Sequence, residues 1–281
     1  MTPLKPLAPG LHIVATPIGN LGDITLRAIE TLGQVDLIAA EDTRVAAKLL
    51  RHLGLGTPVI PYHDHNAPVM RPQLITRMLG GATVALVSDA GTPLVSDPGL
   101  KLVQAALEAG VPVTAAPGAC AAITALTLAG LPTDRFCFCG FLPPKSGARQ
   151  SALTELAAVP ATLVFYEGAS RLAAMLADAA HVLGLRDAAV ARELTKLHEE
   201  VQRGSLAALA ARYAEQGPPR GELVVLIGPP TAQPAASDQD VDALLTAALR
   251  THRTKDAAAL VAVQTGLPRA QVYERALALK P

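Results

Sequence analysis

The chain has 281 residues, 50% of them hydrophobic and 3% aromatic, and its 24 Lys and Arg balance 24 Asp and Glu. A chain poor in apolar residues would stay disordered, so this composition excludes extensive disorder and indicates an Ala- and Leu-rich globular protein of about two domains. Zero net charge excludes nucleic-acid binding through overall basicity, so a nucleic-acid partner must be met by local basic patches.

The first part of the chain alternates short apolar runs with amphipathic segments. The runs predict buried strands at residues 11–16, 35–40, 83–88 and 111–115. The segments between them predict helices at residues 24–32, 44–53 and 100–109. Because strand, crossover helix and strand follow one another, we expect a parallel sheet covered by helices.

A second series of the same kind follows. It predicts strands at residues 136–139, 162–166, 188–192 and 223–227, with helices at 149–158, 171–183 and 206–215. A boundary near residues 117–121 gives an N-terminal α/β domain, 1–118, and a C-terminal α/β domain, 119–230. Residues 229–240 contain three prolines and no periodicity, which predicts a linker. Short helices at 241–249, 255–264 and 269–278 then predict a small helical domain, 240–281.

Several classes of protein are not supported by the pattern. Residues 1–10 lack the apolar core of a signal peptide, and the apolar stretch 119–131 is too short to span a bilayer, so we expect a cytoplasmic protein without a membrane partner. The cysteines form no CxxC pair, and their odd number argues against a disulfide framework. There is no phosphate-binding GxxxxGK[ST], GxGxxG, GxSxG or HExxH motif. The run His63-Asp64-His65 has no second His or Cys cluster beside it, so no metal site is predicted.

Two loops stand where an α/β sheet binds its ligands, beyond the carboxyl ends of strands. Residues 15–23 form a Pro- and Gly-rich turn, and residues 88–99 form a longer segment with two Gly and two Pro. A βα connection usually takes about 2 to 6 residues, so the second loop exceeds what a connection needs. Either it is an extended structural loop, or its backbone is held rigid so that a ligand can approach main-chain groups closely.

Seven runs of sequence together resemble one family. They are ATPIGNLGDIT after the first strand, AAEDTR at 39–44, HDHN at 63–66, SDAGTPLVSDPG at 88–99, PGACAAITAL at 117–126, DRFCFCGFLP at 134–143 and RELTK at 192–196. On these runs the chain resembles the tetrapyrrole methylase superfamily, and within it the branch that methylates small-subunit ribosomal RNA. The resemblance extends from about Leu11 to the C-terminus.

The resemblance implies a fold and an activity. The fold would be α/β, with two domains of tetrapyrrole-methylase type around a cofactor cleft and a small C-terminal domain of helix-turn-helix type. The cofactor would be S-adenosyl-L-methionine, and the reaction would be methylation of the ribose 2′-hydroxyl of a cytidine in the decoding region of 16S rRNA (cytidine 1402 in the usual rRNA numbering). The partner would be 16S rRNA within the small ribosomal subunit, and the enzyme would be a homodimer.

The resemblance also assigns cofactor-binding residues, of which Thr92 and Cys120 depart from the superfamily pattern of Asp and Thr. Asp89 could replace the missing carboxylate at position 92, whereas a thiol is a poorer hydrogen-bonding group than a hydroxyl. The residues carried over to the cofactor site are Pro17, Asp89, Gly91, Thr92, Pro93, Val95, Cys120, Ala121, Tyr166, Glu167, Leu194, Thr195, Gly221 and Glu222.

Methyl transfer to a hydroxyl needs alignment and a proton acceptor. Alignment alone can supply on the order of 7 to 11 kcal/mol, and a general base adds roughly a hundred- to ten-thousandfold. The sequence leaves the base open among Glu41, Asp42, His63, Asp64 and His65; Asp42 also fits a helix N-cap, and His63 and His65 a hydrogen-bonded surface turn. Candidate substrate-binding residues are Arg44, which would face a substrate phosphate or a structural carboxylate, and His65, Asn66 and Lys145.

Two other functions compete with rRNA methylation. A tetrapyrrole C-methylase belongs to the same superfamily, but the HDHN and EDTR runs and the C-terminal domain count against it. A non-enzymatic helix-turn-helix regulator or assembly factor would leave two complete α/β domains without a catalytic role.

Overall fold

A computed structural model describes residues 6–230, 238–265 and 267–279. The chain forms two compact units, residues 1–230 and 231–281. The first unit holds both sheets, and the boundary expected at residue 118 falls between them and stays a prediction.

The first sheet is parallel, as the alternation of strands and helices predicts. Its strand order is β3-β2-β4-β1-β5. The strands are β1 (Gly10–Val14), β2 (Leu37–Ala40), β3 (Val59–Pro61), β4 (Thr83–Val87) and β5 (Val113–Ala116), and the helices are α1 (Leu26–Gln34), α2 (Thr43–Leu53), α3 (Ala67–Leu79) and α4 (Leu100–Glu108). Leu11 packs into the core on one face and Val14 into the core on the other, so helices cover both faces.

One strand of this sheet and one helix packed on it are not predicted from the sequence. Strand β3 has only three residues and ends at a proline, so it has no readable alternation. Helix α3 carries Pro68 in its first turn and Pro72 inside, which weakens a helical pattern. Leu74 and Met78 nevertheless bury the helix against the sheet, so packing decides the structure here.

The second sheet has the strand order β6-β7-β10-β8-β9. Its strands are β6 (Phe136–Phe141), β7 (Thr162–Gly168), β8 (Asp187–Arg192), β9 (Glu200–Ser205) and β10 (Glu222–Ile227), and its helices are α5 (Ala121–Leu128), α6 (Ser146–Leu156), α7 (Leu172–Leu183) and α8 (Leu206–Gln216). Ala125 and Leu126 of α5 pack on one face of the sheet, and the other three helices pack on the opposite face.

The second sheet, unlike the first, is only partly parallel. Strands β6 and β7 are parallel, but β10 is antiparallel to both β7 and β8, and β9 is antiparallel to β8. The cause is the connection after β8, which is a loop of residues 193–199 and not a helix, so the chain returns beside the strand it has just left.

The second unit consists of α9 (Asp238–Leu249), α10 (Thr254–Thr265) and α11 (Arg269–Ala278). These helices match the three expected from the sequence. Their core contains Val241, Leu245, Val261 and Val272. Of the expected linker, residues 231–237 lie outside the described residues, and residues 238–240 begin α9, so the linker ends earlier than predicted. Within the described part of the chain, every helix is too short or too polar to cross a membrane.

Candidate active site

Two loops of the first sheet meet beyond the carboxyl ends of β1 and β4. The Thr16 and Gly91 backbones exchange hydrogen bonds, Thr16 N–H to Gly91 O at 2.8 Å and Gly91 N–H to Thr16 O at 3.0 Å. Because β1 lies beside β4 while the chain continues from β1 to β2, strand order reverses at this point, which is where open α/β sheets bind ligands.

Gly91 and Thr92 hold these loops close together. Gly91 has φ +82°, and a Cβ there would stand 3.2 Å from Cγ2 of Ile18, so the turn suits glycine. The Thr92 hydroxyl donates a hydrogen bond to the Ala119 carbonyl at 3.0 Å. Thr92 therefore ties the loop to the start of α5, and Asp89 and Asp97 are the carboxylates that this loop presents.

A cleft of about 450 Å³ lies between these loops and the second sheet. Most of the residues carried over to the cofactor site line it. They are Asp89, Gly91, Thr92, Val95, Ala121, Tyr166, Glu167, Leu194, Gly221 and Glu222. The structure thus brings loops from both sheets to one site.

Four of the carried-over residues lie outside this lining. Pro17 lines an adjoining cavity of about 420 Å³, which shares Asp89 and Glu222 with the cleft. Pro93 is a buried residue of the loop 88–99, and Cys120 is the N-cap residue of α5. Thr195 is next to the lining residue Leu194 but does not line the cleft.

Several residues of the lining are not among those predicted from the sequence. Asp97 and Ser96 lie in the long loop 88–99, where their position in a segment longer than a connection needs was a usable signal. Phe141 ends strand β6, where a terminal aromatic gives no indication of a site. The remaining additions are Glu41 as a lining residue, Ala90, Gly168 and Val224.

The loop after β8, residues 193–199, borders the cleft on the side of the second sheet. An ion-pair network holds this loop against the start of β10. Lys196 Nζ lies 2.9 Å from Oε1 of Glu193 and 2.8 Å from Oε2 of Glu222. Glu193 and Thr195 have φ of +51° and +65°. Such backbone strain in non-glycine residues concentrates at functional sites, where the surrounding structure enforces it.

The cleft is acidic. Glu41, Asp89 and Asp97 line it, and its lining contains no Lys or Arg among the described residues. Burial raises the pKa of Glu41, and the charges of Asp89, Asp97 and Asp64 raise it further. Burial likewise raises the pKa of Asp97, despite a hydrogen bond with Ser88. Partial burial among like charges favours a cationic ligand here.

Other polar groups of the lining are already partnered. Glu167 is 3% exposed, and its carboxylate lies 3.0 Å from Nε of Arg171. The Tyr166 hydroxyl accepts a hydrogen bond from the Ala122 backbone N–H at 3.3 Å, and burial raises the pKa of Tyr166 to about 12. Both residues shape the cleft, and Tyr166 stays neutral at neutral pH.

Asp42 has a structural role that fits its N-cap interpretation. Its carboxylate accepts a hydrogen bond from the Arg44 backbone N–H at 2.8 Å at the start of α2 and pairs with the Arg44 guanidinium. These hydrogen bonds lower the pKa of Asp42 to about 2. Such a group is a weak base, so the structure favours Glu41 over Asp42. The Arg44 side chain is 86% exposed and faces its structural carboxylate.

The HDHN run forms the turn between β3 and α3. Asn66 Oδ1 accepts a hydrogen bond from the His63 backbone N–H at 2.9 Å, and its Nδ2 donates to the Pro61 carbonyl. The His63 and His65 rings meet edge to face at 5.9 Å. His63, Asp64, His65 and Asn66, all of them described, lie outside the lining of the cleft, although the Asp64 charge acts on Glu41.

Lys145 is exposed at the start of α6 and also lies outside the lining. Among the described residues, no group of three or more His, Cys, Asp or Glu side chains is arranged to hold a metal ion.

Comparison with known proteins matches two family models. Residues 10–210 match the tetrapyrrole (corrin/porphyrin) methylases, and residues 235–280 match the RsmI C-terminal HTH domain. Together the models cover the first sheet, the strands β6 to β9 of the second sheet and most of the second unit.

Solved structures of this fold resemble the chain at low sequence identity. Uroporphyrin-III C-methyltransferase from Thermus thermophilus, in complex with S-adenosyl homocysteine, has a TM-score of 0.55 at 21% identity and covers 78% of this chain and 97% of its own. A diphthine synthase has a TM-score of 0.60 at 16% identity and covers 78% of this chain and 89% of its own. These likenesses support the fold alone.

Curated relatives match over nearly the whole length. Three of them are named ribosomal RNA small subunit methyltransferase I. The one from Erythrobacter litoralis is 54% identical to this chain, and the match covers 98% of this chain and 97% of the relative. The relative from Mesorhizobium japonicum is 49% identical, over 99% of this chain and 95% of the relative. The relative from Escherichia coli O157:H7 is 47% identical, over 95% of this chain and 94% of the relative. The chain therefore belongs to the ribosomal RNA small subunit methyltransferase I family of the tetrapyrrole methylases.

Proposed function

We propose that the protein transfers a methyl group from S-adenosyl-L-methionine to the ribose 2′-hydroxyl of a cytidine in the decoding region of 16S rRNA, within the small ribosomal subunit. The observation that carries this proposal is the identity of 47–54% to relatives named for methylation of small-subunit rRNA, over nearly the whole chain. An enzyme with this substrate would work in the cytoplasm.

The cleft fits the cofactor in shape and charge. Leu194, Leu223 and Val224 offer an apolar wall of the kind that receives an adenine ring, and Gly91 and Gly221 leave backbone open to close approach. Asp89 and Asp97 carry negative charge toward a ligand that bears an ammonium and a sulfonium group. When bound, the cofactor supplies an electrophilic methyl group on positively charged sulfur.

Glu41 is the residue that would accept the proton of the ribose hydroxyl. It lines the same cleft as Asp89 and Asp97, and its carboxylate is not neutralised by a cation in the described lining. A raised pKa brings a carboxylate closer to the range in which a base works at neutral pH. The loops then orient the reactants, which is where most of the rate gain of such a displacement arises.

The test is transfer of radiolabelled methyl to small ribosomal subunits purified from cells that lack this activity. Label recovered as 2′-O-methylcytidine, at one position resistant to alkaline hydrolysis within the decoding region, is the expected result. Label in a base, in another nucleoside or only in a uroporphyrinogen-type substrate would contradict the proposal. The homodimer implied by the resemblance stays a prediction, which light scattering of the purified protein would check.

A further inference from the structure

Aromatic side chains are scarce in this chain, which has four Phe, four Tyr and no Trp. Three of them form a cluster, and two of the three, Phe141 and Tyr166, line the cleft. The Tyr166 ring lies 5.0 Å from the Phe138 ring and 5.7 Å from the Phe141 ring, centroid to centroid, and both pairs meet edge to face. Phe141 lines the cleft, yet 58% of it is exposed. The ring therefore offers most of its surface to a partner at the mouth of the cleft.

A bulge in the edge strand β6 aims this ring. Phe138 pairs with Val164 and Phe141 with Tyr166, and the register shifts between Phe138 and Gly140. In a regular strand, residues three apart point to opposite faces of the sheet. The extra residue therefore brings Phe141 to the face that carries Phe138 and Tyr166. Bulges next to active sites commonly re-aim a side chain in this way, and the φ of +62° at Gly140 permits this one.

Two arginines anchor the backbone that follows Phe141. Arg171 donates from Nη2 to the Leu142 carbonyl at 2.6 Å, and Arg149 donates from Nη1 to the Pro144 carbonyl at 3.0 Å. Arg149 is itself buried, with Nε 2.7 Å from Oδ2 of Asp178. The exposed ring thus extends from a fixed backbone, and a preorganised group loses little freedom when a ligand binds to it.

The charge of the cleft decides what such a ring can receive. Glu41 and Asp97 line the same cleft without a basic neighbour in the described lining, so they disfavour a phosphate group there. An uncharged nucleobase meets no such repulsion, and aromatic side chains are the usual platforms for unstacked bases of RNA.

We propose that Phe141, with Tyr166 behind it, is a stacking platform for an unstacked base of the RNA substrate at the mouth of the cleft. This inference rests on the proposed function, because it takes the substrate to be RNA. The base stacks on the Phe141 ring while the phosphates remain outside the acidic cleft. Phe141 is a substrate-positioning residue on this account, and neither a proton nor an electron passes through it.

The test compares four variants of the full-length protein on unmethylated small ribosomal subunits. Phe141→Ala should raise KM for the subunits about 5- to 150-fold, since stacking contributes on the order of 1–3 kcal/mol per base. The dissociation constant of S-adenosylmethionine, measured by calorimetry, should change less than about twofold. Phe141→Tyr should restore wild-type KM, whereas Phe141→Leu, which is apolar without a ring, should resemble alanine. Phe136→Ala is the matched control, because Phe136 is 44% exposed at the other end of β6 and lies outside the cleft lining.

A second readout does not depend on turnover. A single-stranded RNA oligonucleotide with a fluorescent cytosine analogue should be quenched on binding the wild type and not on binding Phe141→Ala. If the wild type methylates no rRNA but still shows this quenching difference, the proposed function fails and the platform stands. A wild-type KM for Phe141→Ala or Phe141→Leu would overturn the platform. So would a cofactor dissociation constant that rises as much as KM, because Phe141 would then serve the cofactor.

Discussion

Two neighbouring carboxylates, Glu41 and Asp42, have opposite electrostatic environments. Glu41 lines the acidic cleft, and burial together with the charges of Asp89, Asp97 and Asp64 raises its pKa. Asp42 caps helix α2 and pairs with Arg44, which lowers its pKa to about 2. Two carboxyl groups whose pKa values differ in this way can take different roles in a reaction. Here Glu41 would be the proton acceptor, and Asp42 would remain a helix cap.

Replacing this base with an amide gives the first prediction. Glu41→Gln should lower kcat about a hundred- to ten-thousandfold, because it removes the proton acceptor while keeping the shape of the side chain. In the wild type, kcat should fall as the pH drops through the raised pKa of Glu41, since the protonated acid cannot accept a proton. The amide does not titrate, so this acidic limb should vanish in the variant. Methyl-transfer rates measured across pH would show both effects.

Asp42→Asn is the matched control for this variant. Asparagine also caps helices well, so the fold should persist, and the acidic limb of the pH profile should remain. Thermal unfolding gives an independent check with its own sign. A carboxyl whose pKa is raised by folding destabilises the protein above that pKa, so Glu41→Gln should unfold at a slightly higher temperature at neutral pH. An unchanged kcat in Glu41→Gln would remove Glu41 from the mechanism.

At the scale of elements, the loop after β8 meets the start of β10 at Gly221. A Cβ at this position would overlap the Glu193 carboxylate, which Lys196 Nζ and the Glu222 backbone N–H both contact. Gly221 also has φ +97°, in the left-handed region. Gly221 therefore joins the ion-pair network of the loop after β8 to the wall of the cleft, and this position requires glycine.

The second prediction uses this junction. Gly221→Ala should lower the free energy of unfolding and weaken cofactor binding, because the new methyl group displaces Glu193 and shifts the cleft wall. Gly217→Ala is the control, since Gly217 has φ +73° but no atom lies within 4 Å of where its Cβ would stand. The clash should make Gly221→Ala about 1–3 kcal/mol less stable than Gly217→Ala. Urea unfolding measures the difference, and equal losses in the two variants would show that backbone strain alone matters.

Some strands and loops of this fold can be predicted from the sequence, and others cannot. Strands β1, β2, β4 and β5 of the first sheet and the loops 15–23 and 88–99 are readable from the sequence because buried parallel strands are continuous apolar runs between turn residues. Helix α3 was hidden by its prolines, and the polar edge strand β9 (EVQRGS) has too few apolar residues to show a pattern. The antiparallel β10 depends on long-range pairing, which no local window contains. Phe141 reaches the cleft only through a bulge, so local periodicity could not place it there.

At the scale of the whole molecule, the charge balance poses a problem for an RNA-binding enzyme. The chain has no net charge, and the cleft that would receive the ribose is acidic. Affinity for a polyanion must then come from basic groups elsewhere. The segment from residue 241 to the C-terminus contains six Lys or Arg and three Asp or Glu. In the second unit, Arg250, His252 and Arg253 line a cavity of about 580 Å³ beside the start of α10.

The last prediction assigns part of the RNA affinity to this basic cavity. Removal of residues 231–281, a separate compact unit, should weaken binding to small ribosomal subunits and leave the dissociation constant of S-adenosylmethionine unchanged. The double variant Arg250→Gln, Arg253→Gln tests the charges themselves. If both side chains neutralise phosphates, the slope of log affinity against log salt should become shallower by about 2. Arg77→Gln with Lys101→Gln removes the same charge from exposed positions of α3 and α4, so an equal change in that control would mean that overall charge, and not the cavity, governs binding.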